Sequence, residues 1–301
     1  MSLSSSGPWK VPNFSSPSRK QHMGLWYDEI FDDHTRLGLR VKETLFSDQS
    51  PYQKVEVIDT TGFGRVLVLD NVFMTSEYDE FLYHEMLVHP ALTTAPRIGR
   101  VLVIGGGDGG TVREVLRHPD VRKCVMVELD RMVVEVSKKH LPSIGTAWDD
   151  PRLEIRFIDG IEYVKTSEDE KYDVVLLDGT DPIGPGAVLF DETFYRGCKR
   201  MLTSDGVMAL QSESPLLMME VFVEIQHKLR SLFSEVHPYM GPVPLYGTGT
   251  WSWTWCSDTG EPLRPFPERQ AAIVEGSKAY NEAIHRAAFA LPNYVQRALK
   301  L

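Results

Sequence analysis

Residues 101–118 read VLVIGGGDGGTVREVLRH: an apolar run, six positions that are all glycine except Asp108, then an amphipathic stretch. Gly105, Gly107 and Gly110 have the G-x-G-x-x-G spacing, and Glu128 follows about 20 residues on, as in a dinucleotide-binding fingerprint. Such a loop turns bare backbone N–H groups toward a phosphate, and a carboxylate in its middle repels one. Asp108 therefore opposes a pyrophosphate. Glu128 keeps a role for a nucleoside, because an acid at the end of a second strand accepts hydrogen bonds from ribose hydroxyls. A ligand joining adenosine to positive charge satisfies both residues, and sulfonium compounds of the S-adenosylmethionine type do so. The intact compound carries a carboxylate that Asp108 opposes, whereas its decarboxylated form offers only an aminopropyl cation.

More carboxylates stand where an open α/β sheet binds its ligands, at the carboxyl ends of strands. The strand runs RVLVIG, KCVMVEL, LEIRFI and YDVVLLD end at Asp108, Glu128, Asp159 with Gly160, and Asp178 with Asp181. A fifth, GVMALQS, leads to Gln211 and Glu213. One acid after a strand is commonly a helix cap. Four on one rim repel one another and call for a cation.

The elements that must position this rim are legible as a rhythm. After Pro96, four- to six-residue apolar strands alternate with the amphipathic stretches TVREVLRH, RMVVEVSKKHL, IEYVKTS and DETFYRGCKRML. That alternation predicts a Rossmann-like, mostly parallel sheet with helices on both faces. A long helix, LLMMEVFVEIQHKLRSLF, then leads to two further strands, EVHPYMGPV and TWSWTWCSD. Upstream, LGLRVKETLF, QKVEVIDT and RVLVLD alternate apolar with polar residues and predict a small antiparallel β domain, too small to form a large core alone. SEYDEFLYHEMLVHPAL reads as a connecting helix capped by Ser76 with Asp79 and ended by Pro90. The expected organisation is a disordered tail over 1–20, the β domain with its helix over 21–96, and the catalytic domain over 97–301.

Composition narrows the function. The chain has 301 residues, 42% hydrophobic and 25% charged, with a net charge of −10. That balance is globular, and it offers no basic groove for nucleic acid. No apolar run approaches the ~20 residues that span a bilayer, so no membrane role is expected. Cys124, Cys198 and Cys256 stand far apart, which suits a reducing compartment and gives no metal framework. The Ser/Pro-rich first 20 residues lack the apolar centre of a secretory signal and the periodicity of a transit peptide. The expected location is cytoplasmic.

Several motifs together resemble the spermidine synthases, the polyamine aminopropyltransferases: LDNVFMTSEYDEFLYHEMLVH, VIGGGDGG, MVELD, LLDGTDPIGP, VPLYGTG followed by WSWTW, and YNEAIHRAAFALPNYV. The likeness runs in order from about Trp26 to the C terminus. It implies transfer of the aminopropyl group of decarboxylated S-adenosylmethionine to putrescine, giving spermidine and 5′-methylthioadenosine. It implies no cofactor, the donor being a co-substrate. On the resemblance, Gln53 and His84 touch the donor, Asp108 holds its amine, Glu128 binds the ribose, Asp159 with Gly160 brackets the adenine, and Pro185 lines the adenosine side. Asp178 is the proton acceptor, aided by Tyr83. Asp178, Asp181, Gln211 and Tyr246 face the amine acceptor. A homodimer or homotetramer is implied. Two positions depart from the family pattern: Asn71 stands for a glycine, tolerable because Asn accepts left-handed backbone, and Met74 stands for a glutamine near the substrates.

Other readings are weaker. His84 and His89 in HEMLVH are five apart, about 140° around a helix, and do not share a zinc-binding face. The tryptophans of WSWTW are expected to pack both faces of a sheet, and Tyr163 and Tyr195 to be packing residues. Agmatine, cadaverine or a longer polyamine is an alternative acceptor. An S-adenosylmethionine-dependent N-methyltransferase and a non-catalytic nucleoside or polyamine binder are the alternatives of other classes. A nicotinamide oxidoreductase ranks last, because of Asp108.

Overall fold

A computed structural model describes residues 24–31, 33–167, 170–180 and 191–301. The N-terminal part is a five-stranded antiparallel meander in sequential order: β1 (Trp26–Ile30), β2 (Arg36–Gln49), β3 (Lys54–Thr60), β4 (Arg65–Leu69) and β5 (Val72–Ser76). The sequence pattern did not single out β1 and β5. β4 and β5 are joined by Asp70 and Asn71 at φ 47° and 70°. Two successive left-handed residues make the tight hairpin whose twist matches its strands, and Asn71 adopts the conformation its glycine equivalent would.

This sheet is covered on both faces. Val55, Val57, Leu67 and Leu69 pack against Val133, Val136, Leu141 and Ile144. The other face gathers Leu39, Val41, Ile58, Val66, Val68 and Phe73 around Leu245. The meander thus borrows its core from the rest of the chain.

Helix α1 (Glu80–Thr94) links the two parts and departs twice from the expectation. Ser76 ends β5 instead of capping the helix, and its hydroxyl donates to Asp79, the residue that precedes the first turn. Pro90 lies inside the helix. Proline has no N–H for the carbonyl of Met86 four residues back, and the Tyr239 hydroxyl donates to that oxygen instead, at 2.9 Å. A neighbouring strand supplies the missing bond, so the helix runs on.

The second sheet has seven strands in the order β11-β12-β10-β9-β6-β7-β8. β6 (Arg100–Gly105), β7 (Lys123–Glu128), β8 (Leu153–Phe157), β9 (Tyr172–Asp178) and β10 (Leu202–Gln211) are parallel; β12 (Thr250–Ser257) and β11 (Glu235–Pro242) run antiparallel at one edge. Their connections carry α2 (Gly110–Leu116), α3 (Arg131–His140), α4 (Gly160–Thr166), α5 (Glu192–Met201) and α6 (Met219–Arg230). The chain winds outward from β6 to β8 and returns to β9 on the other side of β6. The crevice of an open sheet therefore lies between the carboxyl ends of β6 and β9.

Trp251, Trp253 and Trp255 share one face of β12 and join the core around α1, while Cys256 joins the opposite core. The expectation that they cover both faces fails because side chains two apart on a strand point the same way. Tyr163 and Tyr195 are core residues, as read. Three short helices close the chain, α7 (Pro267–Val274), α8 (Glu282–Ala288) and α9 (Asn293–Leu299). Glu85 of α1 pins the segment between α7 and α8, accepting from the backbone N–H groups of Lys278, Ala279 and Tyr280. The three cysteines are buried and not disulfide-bonded. Among the described residues no helix is long and apolar enough to cross a membrane.

Candidate active site

Two adjoining cavities open at the crevice. One, of about 430 Å³, is lined by Gln53, Met74, Tyr83, His84, the loop 105–108, Glu128, Asp159, Gly160 and Asp178. The other, of about 850 Å³, is lined by Tyr27, Glu29, Phe31, Met74, Tyr83, Gln211, Glu213 and Trp251, among others. Met74, Tyr83, Gly179, Thr180 and Tyr246 border both and form the joint. The rim residues read from the sequence are thus brought together, with Gln211 in the larger cavity only. Asp181 and Pro185 lie outside the described residues.

The glycine loop serves close approach of side chains. Gly105 is opposite Asp178 in the β6–β9 register, and Gly106 N–H donates to the Asp178 carbonyl at 3.0 Å. A Cβ on Gly105, whose φ is +85°, would lie 2.1 Å from that carbonyl oxygen. On Gly110 a Cβ would lie 2.3 Å from the His84 ring. The absent side chains let a β9 carboxylate and an α1 imidazole reach the same cavity.

Asp178 is held at both oxygens. Tyr83 donates its hydroxyl to Oδ1 at 2.8 Å, and Thr111 donates to Oδ2 at 2.6 Å. Burial, then repulsion by Asp108, raises its proton affinity above the usual carboxylate range; His84 and the two hydroxyls moderate the rise. Tyr83 is locked by ring contacts with His84, Tyr246 and Trp253, at centroid distances of 5.3, 5.7 and 5.8 Å. Its own hydroxyl is pushed well above the ordinary range by burial and by Asp178, so it remains a donor.

Asp108 behaves oppositely. Its Oδ1 accepts from Gly110 N–H at 2.8 Å and its Oδ2 lies 3.2 Å from His84 Nε2. Burial, the largest single influence, would raise it, yet the charge and hydrogen bond of His84, the Gly110 N–H and the Arg113 charge together outweigh burial and hold it below the usual range. Two neighbouring carboxylates are thereby pushed apart, one kept ionised and one ready to take a proton. Such a split marks acid–base chemistry.

Glu128 ends β7 and accepts from Asp130 N–H at 2.9 Å, while burial pushes it up to about 7. Asp159 caps α4 through Ile161 N–H and still lines the cavity, so its helix-cap and cavity-lining positions are compatible. Gln53 reaches the site from the N-terminal sheet, its amide donating to Asp130 at 3.1 Å beside Ser50, which donates to the same oxygen at 2.6 Å. Gln211 accepts from Glu213 N–H at 3.0 Å, and the Tyr246 hydroxyl donates to the Met74 carbonyl. His84 and His89 have separate partners, His89 meeting Glu114 at 3.0 Å and His118 at 3.2 Å.

Sequence reasoning missed Thr111 and Asp130. Thr111 carried a signal, as the first side chain after a glycine loop. The role of Asp130 depends on the docking of the N-terminal sheet, which no local pattern encodes.

Comparison with known proteins places the chain in a family and matches its fold. Residues 80–264 match the family model described as the spermine/spermidine synthase domain, and residues 25–77 match the spermidine synthase tetramerisation domain. The polyamine aminopropyltransferase of Prochlorococcus marinus (strain MIT 9313) is 46% identical over 91% of this chain and 96% of its own. That of Moorella thermoacetica (strain ATCC 39073 / JCM 9320) is 43% identical over 92% and 97%. Among solved structures, a spermidine synthase in complex with the transition-state analogue AdoDATO superposes with a TM-score of 0.89 at 37% identity, covering 93% of this chain and 96% of that one. The spermidine synthase from Thermotoga maritima gives 0.87 at 37% identity, over 93% and 95%. In sequence over nearly its whole length, and in fold, the chain belongs to the spermine/spermidine synthase family of polyamine aminopropyltransferases.

Proposed function

We propose that the protein transfers the aminopropyl group of decarboxylated S-adenosylmethionine to putrescine, forming spermidine and 5′-methylthioadenosine. The donor occupies the smaller cavity. Glu128 takes the ribose hydroxyls, Asp159 and Gly160 flank the adenine, Gln53 and His84 line the donor, and Asp108 pairs with the amine of its aminopropyl arm. The acceptor enters through the larger cavity, past Gln211 and Tyr246, toward Asp178. Asp181 and Pro185, outside the described residues, belong to the acceptor and adenosine sides on the family resemblance.

An amine of this type has a pKa near that of lysine, about 10, and reaches the enzyme mostly protonated. Asp178 takes a proton from the attacking nitrogen, and its raised proton affinity makes it a better base than an ordinary aspartate. Tyr83, fixed on Asp178, helps aim the nitrogen lone pair. The nitrogen attacks the carbon beside the sulfonium, a C–N bond forms, the C–S bond breaks, and sulfur keeps the electron pair. Two cations must meet for this, and the acidic rim offsets their repulsion. No cofactor is required. The match of residues 25–77 to a tetramerisation domain supports a homo-oligomer.

The observation that carries the reading is Asp178, in the smaller cavity and buttressed by Thr111 and by Tyr83, which borders both cavities. A second reading, an acceptor longer than putrescine, is favoured by the 850 Å³ cavity with Asp28, Glu29, Asp70 and Glu213 along it. Purified protein assayed with intact or decarboxylated S-adenosylmethionine against putrescine, cadaverine, agmatine and spermidine separates these. Methylthioadenosine release with putrescine at the highest kcat/KM is expected. Preference for another amine moves the assignment to it, and a methylated product from the intact donor removes the reading.

A further inference from the structure

Four charged side chains run in line from the donor cavity into the protein, and the outer pair alone line it. Asp108 Oδ2 meets His84 Nε2 at 3.2 Å, and His84 Nδ1 meets Glu80 Oε2 at 2.8 Å. Glu80 takes two arms of Arg113, Nη2 on Oε2 at 2.7 Å and Nη1 on Oε1 at 3.1 Å. Arg113 is itself anchored, its Nε donating to Glu114 at 2.7 Å and its Nη1 to the Ile144 carbonyl at 2.9 Å. His84 and Glu80 are 2% and 5% exposed. Signs alternate along the line.

An imidazole ring with a carboxylate at each nitrogen satisfies both only when it carries two N–H groups. We propose that Glu80 and Arg113, neither of which lines a cavity, are positioning residues: they fix His84 between two carboxylates and so decide that Asp108 stays an anion while Asp178 is the group that takes the proton. The inference rests on reading Asp108 as the partner of the donor's amine and Asp178 as the base. Two bare carboxylates facing one cavity would share a proton with no preference between them. His84 on Asp108 breaks that symmetry, and the fork of Arg113 fixes the carboxylate that holds His84. The groups facing His84 are Glu80 and Tyr83 on α1, Asp108 on the glycine loop, Arg113 on α2 and Asp178 at the end of β9. Burial works against the His84 charge, but Asp108 and Glu80 outweigh it and hold the ring well above its ordinary range.

The test is Glu80→Gln in the full-length protein, read by NMR of ¹⁵N-labelled histidines, with His84→Gln identifying the resonances, and by the pH dependence of kcat/KM. In the wild type both His84 nitrogens should stay protonated well above the pH at which an ordinary histidine loses one proton, and in Glu80→Gln one should be lost at distinctly lower pH than in the wild type. A neutral His84 no longer moderates Asp178, so the acid limb should move up by about one pH unit and the donor KM rise about tenfold. The double variant Glu80→Gln/Arg113→Gln removes both charges and should show the same shifts if the single variant is unstable. A wild-type His84 neutral at pH 7 overturns the proposal without any variant. So does a variant whose histidine titration and pH profile overlay the wild type, whatever its stability. The titration needs no substrate, so wild-type protein that transfers no aminopropyl group would sink the functional reading while His84 is judged by itself.

Discussion

At the scale of single residues the site is a division of labour between acids of the same kind. Asp178 is raised by burial and by Asp108, whereas Asp108 is held down by His84. Asp178→Asn keeps one oxygen to accept from either the Tyr83 or the Thr111 hydroxyl, turns its amide NH2 toward the other, and has no place for a proton. It should lower kcat by roughly 10²–10⁴ while 5′-methylthioadenosine binds within a few-fold of wild type; near-normal turnover would remove Asp178 from the chemistry. Thr111→Val deletes one hydrogen bond that lowers the Asp178 proton affinity, so that affinity should rise. The acid limb of kcat/KM then moves to higher pH, with the loss greatest on the acid side of the profile and recovery as pH rises. A uniform loss at every pH would assign Thr111 to packing alone. The carboxylates were legible in the sequence because a parallel sheet brings every strand end to one rim. Thr111 was not, since its bond to Asp178 joins α2 to β9 across the loop.

At the scale of elements, α1 shows what a linear reading misses. Pro90 has the look of a helix end, and the helix continues because a residue 153 positions away in sequence caps the orphaned carbonyl. Tyr239→Phe leaves the Met86 oxygen buried and unpaired, which should cost about 1–3 kcal/mol. Urea unfolding should show a lower midpoint with an unchanged slope and kcat within twofold of wild type; an unchanged midpoint would mean that the carbonyl finds another donor. The glycine loop makes the complementary point. Its spacing suggested a phosphate cradle, but Gly105 is required by a left-handed φ and by the Asp178 carbonyl where a Cβ would stand. Gly105→Ala must separate β6 from β9 at the crevice, and activity should fall below about 1% with the fold retained by circular dichroism. Full activity in that variant would show that the register at the crevice can slip without consequence. Helices α7 to α9 escaped the reading because they are short and pack by contacts with α1, β11 and α6 respectively rather than by a strong period of their own.

At the scale of the whole molecule, the N-terminal sheet and the parallel sheet each depend on the other. The meander lends Gln53 and Met74 to the cavities and takes part of its core from α3. The parallel architecture and most strand identities were readable from periodicity, whereas this docking was not, since it is written in faces that look alike until they meet. One cost of building the site is global and measurable. Glu128 rises from an ordinary 4.5 to about 7 because the folded cavity buries it. A carboxyl raised on folding contributes stability that is fully present below the unfolded value and lost as pH rises through the folded one. The ligand-free protein should therefore lose stability between about pH 4.5 and 8, on the order of 2 kcal/mol from this group once partial exposure is allowed for. Glu128→Gln does not ionise, so its stability relative to wild type should climb over that window. Glu80, Glu114 and Asp108 are shifted the other way and weaken the fold as pH falls, but they are common to both proteins and cancel in the difference. Ribose hydroxyls donating to the ionised carboxylate should repair the wild type alone, so saturating 5′-methylthioadenosine should shrink the gap at pH 8 and leave it unchanged at pH 5. Unfolding curves that run parallel from pH 5 to 8, with and without nucleoside, would show that Glu128 ionises in the folded protein as freely as in water and that its place at the end of β7 carries no such strain.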